Sequence, residues 1–123
     1  MPAILARGRT AMRDALKALI THVGISTASD AFADGQTVID PTAGTNLIKA
    51  STETDVDGNT FDATMVVTGA SEFTNLIIRT IGVLNGGLRT DILTRTVRAL
   101  GIGVQDGDVY TVGVRLAVQD NSP

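Results

Sequence analysis

The sequence predicts a mainly β fold, an antiparallel β-sandwich of six to seven strands with one N-terminal α-helix. Apolar residues recur at helical spacing only within residues 3–20. Beyond them the apolar runs are short, β-branched and in places strictly alternating. Between those runs stand turn formers such as "DVDGN", "NGG" and "QDGD". The 123 residues suffice for a single domain with its own core, and no repeat or linker divides 1–123 into smaller units.

Residues 3–20, "AILARGRTAMRDALKALI", form the helix. Leu5, Met12, Leu16 and Leu19 share one stripe, expected to lie on the protein's own core. Arg9, Arg13 and Lys17 share a neighbouring face at steps of four residues. Like charges so spaced repel, a cost that an acidic partner removes, so these three are the candidate docking residues. The sandwich is assigned to residues 21–120, with "THVGIS" (21–26) as its first strand, the loop 27–36, and a second strand at "NLIKAST" (46–52) after the loop 40–45.

"TFDATMVVT" (60–68) alternates Phe61, Ala63, Met65 and Val67 with mostly polar residues, the pattern of a half-buried strand. "FTNLIIRTIGVL" (73–84) reads as one long strand with Gly82 as a kink or bulge. "NGG" (85–87) signals a hairpin returning as 88–98, and "GIGVQDG" (101–107) reads as a turn. "YTVGVRLAV" (110–118) closes the fold, with Tyr110, Val112, Val114, Leu116 and Val118 on one face.

Hydrophobic residues make up 43% and charged residues 19% of the chain, which argues against disorder. No cysteine is present, so disulfides, thiolate metal sites and thiol nucleophiles are excluded. No apolar run approaches membrane-spanning length and no signal-like core opens the chain, so a soluble, unprocessed protein without membrane association is expected. Charge is uneven. Arg7, Arg9, Arg13 and Lys17 against Asp14 leave residues 1–17 at +3, whereas Lys49 against seven acids leaves 18–62 at −6. The basic head and acidic flank could dock between neighbouring subunits, or be ordinary solvated faces.

Candidate chemistry is sparse. In "ETDVDGNTFDA" (53–63), Asp55, Asp57 and Asn59 alternate around Gly58 as calcium ligands do. With Gly58 at the sixth loop position, however, Thr64 takes the twelfth, where a bidentate acid is required. A hairpin turn is the preferred reading, and weak surface calcium binding by Asp55, Asp57 and Asn59 the alternative. His22 is the only histidine and has no thiol or second histidine for company, so a half-buried, locally satisfied side chain is expected. The serines lack a nucleophile elbow, and the paired carboxylates Asp55/Asp57 and Asp106/Asp108 fall in turns where nothing splits their pKa values. With only four aromatics a base-stacking platform is not expected, nor is nucleic acid as a partner. No enzyme activity and no cofactor are expected.

The order of elements resembles a family of small β-sandwich structural proteins of tailed bacteriophages and archaeal viruses. The likeness lies in "ITHVGISTASDAFADGQTVIDP" (20–41), with its "VG" strand end and Ser/Thr/Asp/Ala-rich loop. It continues in "IIRTIGVLNGGLRTDILTRTVRALGIGVQDGDVYTVGVRLAVQD" (77–120), with an "IG" strand, a glycine-rich hairpin, a "GD" turn and an alternating last strand. The family often has an acid before its "IG" strand, where this chain has Arg79 and Thr80. The resemblance implies a virion structural protein made in the host cytoplasm, assembling as a homotrimer with other virion structural proteins. A tail- or collar-associated adaptor or fibre-anchoring subunit leads, and a capsid decoration (cement) protein is the alternative. From another class, a carbohydrate-binding module is disfavoured by the scarcity of rings for sugar stacking.

Overall fold

The computed structural model describes residues 5–31, 33, 35–40, 44–69 and 72–119. Among these, helix α1 (Ala6–Leu19) precedes seven strands: β1 (His22–Ser26), β2 (Asn46–Ala50), β3 (Thr52–Asp57), β4 (Thr60–Thr68), β5 (Leu76–Leu84), β6 (Ile92–Val104) and β7 (Val109–Ala117). All pairings are antiparallel and build two sheets, ordered β2-β1-β5-β6 and β3-β4-β7. The mainly β fold with an N-terminal helix is therefore as expected.

One residue joins the sheets at a corner. The Ser51 N–H donates to Thr21 O in the first sheet at 3.0 Å, while Thr52 already pairs with Thr64 in the second. The core lies between the sheets, where Val23, Ile25, Ile78, Ile81 and Val83 meet Phe61, Ala63, Met65, Val67 and Val112. Strand β4 occupies the span its alternation predicts, and its four inward residues are all buried.

The outer face of the first sheet is covered as well. Its register sets Ile48, Gly24, Gly82 and Arg95 in one row and Asn46, Ser26, Thr80 and Val97 in the next. Residues 27–31 and 35–40 lie over both rows, with Ile39 seated on Gly24, where a Cβ would stand 2.6 Å from Ile39 Cδ1. Glycine is needed at this position because another side chain fills the space. Strand β1 is thus buried on both faces beyond its first residue, as a central strand requires.

Several boundaries differ from the sequence reading. The helix ends at Leu19, and residues 3 and 4 lie outside those described. The strand expected over 46–52 is two strands that change sheet at Ser51. That expected over 73–84 begins at Leu76, because Phe73 (φ 51°) and Asn75 (φ 59°) take left-handed conformations. The register of β5 shifts at Ile78/Thr80 and Val83/Leu84, not at Gly82, where a Cβ would collide with Thr94 O of β6. "NGG" opens a longer loop, 85–91, tied by Asn85 N–H to Asp91 O (3.1 Å) and Leu88 N–H to Asp91 Oδ2 (3.0 Å). The returning strand starts at Ile92 and runs through "GIGV" to Val104, so only the end of 101–107 is a turn. That turn holds Gly107 at φ 89°, with Gln105 N–H donating to Asp108 Oδ2.

The expected core stripe of the helix is the largest correction. Of its four residues only Leu16 packs on the core, while Leu5, Met12 and Leu19 are 77%, 49% and 56% exposed. The face that meets the sandwich is Arg13, Leu16, Lys17 and Ile20. These positions share helical spacing but mix charge with apolarity, because the surface they meet is acidic.

Candidate functional site

The structure brings together the two residue sets singled out in the sequence. The β3–β4 register places Glu53 opposite Ala63 and Asp55 opposite Phe61, so these acids stand on the core side of their sheet. Helix α1 reaches Asp55 and the turn that follows it. Lys17 Nζ donates to Asp55 Oδ1 at 2.8 Å, Arg13 Nη2 lies 3.6 Å from Asp55 Oδ2, and Arg13 Nη1 donates to Asp57 O at 2.5 Å. Thr10 Oγ1 adds a bond to Gly58 O at 2.7 Å. Arg9 is half-buried on the same helix.

The turn also carries bonds that do not involve the helix. Asn59 N–H donates to Asp57 Oδ1 (3.0 Å), and Asn59 Nδ2 donates to Val118 O (2.9 Å). The bend is therefore an Asx-stabilised hairpin, and the cationic partner beside Asp55 is Lys17. Among the described residues no group of three or more His, Asp or Glu side chains is placed to hold a metal ion. His22 is half-buried, with Thr21 Oγ1 2.8 Å from its Nδ1.

The electrostatics follow from this packing. The Lys17 hydrogen bond, helped by the nearby Arg13 charge, holds the Asp55 carboxyl below the ordinary carboxylate range. Asp57 is lowered chiefly by the Asn59 N–H, while the Arg13 guanidinium is raised first by its bond to Asp14. Depressed carboxyls stabilise the fold above the ordinary range, and this contribution is lost as pH falls through the depressed values. The protection factors of the α1 amides should therefore fall on acidification below about pH 4, before those of β4 and β5. Simultaneous loss of protection throughout would show that the helix and hairpin are not coupled this way.

A second polar cluster lies beneath residues 28–31 and 36–40. The Arg95 guanidinium, on a residue only 6% exposed, donates from Nε to Ile39 O (3.0 Å) and from Nη1 to Gln36 Oε1 (3.0 Å). Its Nη2 reaches Thr80 Oγ1 (3.3 Å), which itself donates to Ala28 O (2.6 Å). Asp40, 2% exposed, accepts from Arg89 Nε (2.8 Å) and Asn46 Nδ2 (3.1 Å). Together these bonds clamp the segment to its sheet. A cleft of about 180 Å³ beside it is lined by Gln36, Val38, Leu93 and Arg95. Sequence reasoning missed this cluster; the one signal available was Arg95 inside the otherwise β-branched "ILTRTV".

Large apolar side chains stand on the surface elsewhere. Leu5, Met12 and Leu19, spaced by seven, mark an exposed flank of α1 beside its contact with the sandwich. Strand β6 carries residues 98–101 opposite Arg79 alone in β5, a wide bulge whose Leu100 is 82% exposed. Compared with profiles of known protein families, with curated proteins and with solved structures, the chain matches none.

Proposed function

We propose that this chain is a non-enzymatic virion structural protein of a tailed virus, made in the host cytoplasm and working on the particle as a homo-oligomer. A tail- or collar-associated adaptor is the leading assignment. One observation carries the reading. The ionisable side chains that look like chemistry in the sequence hold the fold together, whereas large apolar side chains are turned outward. Exposed apolar surface of this kind is the raw material of docking between proteins.

The structure changes which residues we assign to docking. Arg13 and Lys17 can bind an acidic partner only by giving up Asp55 and the hairpin. The flank of α1 that carries Leu5, Met12 and Leu19 meets a neighbouring virion protein without that loss. The homotrimer implied by the resemblance is one arrangement of such subunits.

The test is antibody labelling of purified virus particles from the source of the sequence, read by electron microscopy. Label at the tail or collar supports the adaptor assignment. Label over the shell moves the protein to the decoration reading, and unlabelled particles overturn the virion assignment.

A further inference from the structure

The four sheet edges are not alike. Strand β2 is short, and its Lys49 points inward to donate to Val66 O at 2.8 Å. Strand β3 breaks register at Asp55/Asp57, and Lys17 of α1 is paired with its Asp55. Strand β6 shifts register twice. Short length, inward charge and bulges are the devices by which proteins blunt an edge against strand addition. Strand β7 has none of them. It pairs with β4 over nine residues without a shift, contains no proline, and folds its one charge, Arg115, onto Asp62 of the neighbouring strand at 2.8 Å.

The direction of its outer groups follows from the ends of the ladder. Val118 N–H donates to Asn59 O (2.8 Å) and Asp108 O accepts from Gly69 N–H (2.7 Å), so the even-numbered residues point their backbone groups at β4. By alternation, residues 109, 111, 113, 115 and 117 point theirs outward. Among the described residues no strand pairs with that edge. Next to it Tyr110, Val114 and Leu116, which pack on the core, are only half-buried.

We propose that the outer edge of β7 pairs antiparallel with β7 of a second copy of this chain, about a two-fold axis at Gly113. In this register Thr111 faces Arg115 of the partner subunit and Val109 faces Ala117 of the partner subunit, each pair exchanging two hydrogen bonds. On the core side Val112 meets Val114 of the partner subunit, and Tyr110 meets Leu116 of the partner subunit. No like charges oppose one another, and the axis itself carries no side chain. The two three-stranded sheets become one six-stranded sheet, and the half-buried apolar row gains its missing cover. This self-complementarity argues for a second copy over a foreign strand. The inference rests on the homo-oligomer proposed above and makes its unit a two-fold pair.

Sedimentation and spin-label distances test it, the latter helped by the absence of native cysteine. Thr111→Pro removes an outward N–H without touching the β4 ladder, so it should leave the circular dichroism unchanged and weaken the dimer at least about a hundredfold. Labels on Val109→Cys should report backbones about 28 Å apart, eight residue steps along antiparallel strands. If Thr111→Pro fails to fold, that distance alone decides. An oligomer indifferent to Thr111→Pro, or labels at another separation, overturns the β7 seam and leaves self-assembly standing. A wild-type monomer at every concentration overturns both.

Discussion

Arg95→Met should lower the unfolding free energy by about 3 kcal/mol and open residues 28–40 to limited proteolysis. Methionine keeps the length of the stem, so packing against the sheet survives. The donors do not. Ile39 O and Gln36 Oε1 lose their partner inside a covered layer, and a buried acceptor without a donor carries its full desolvation cost. Urea denaturation measures the loss, and cleavage within 28–40 locates it. Unchanged stability with an uncut segment would mean that Ile39 and the Asp40 and Thr80 bonds hold the cover down without Arg95.

Ile39→Ala should cost about as much, roughly 3 kcal/mol, because a fully buried side chain leaves a cavity between Gly24 and Leu84. The more discriminating experiment joins the two sides of that contact. Gly24→Ala sets a methyl against Ile39 Cδ1 and should cost about 1–3 kcal/mol by overpacking. Ile39→Val removes that same carbon. The double variant should therefore lose about 1 kcal/mol less than the two single losses summed. Strict additivity would show that Gly24 is required for some other reason.

The parts of the fold that were legible in the sequence are those whose buried side is apolar. Strand β4 repeats with period two, and its boundaries follow from that alone. Strand β3 is not legible because "TETDVD" turns Glu53 and Asp55 toward the core side, where Asp55 pairs with Arg13 and Lys17, far away in the chain. Hydrophobic periodicity cannot reveal a strand whose inner side is ionic. The same exchange hid the face of α1, since a stripe of leucines reads as the buried one. "GIGV" reads as a turn because glycine marks turns, yet Gly101 lies in a strand where a Cβ would collide with Ile77. At the site, "DVDGN" announced its turn, but nothing in the sequence links it to the helix. Arg95 and Asp40 stayed hidden because charged residues are read as surface by default.

The central position of β1 bears on how the chain acquires its shape. His22 through Ser26 must wait for Thr80 through Leu84 before the first sheet has a middle. A chain emerging from the ribosome holds its most buried early strand without one neighbour until Leu84 has been added. Such long-range closure is slow, on the millisecond-to-second scale typical of sandwiches. During synthesis that strand is the segment most in need of chaperone protection.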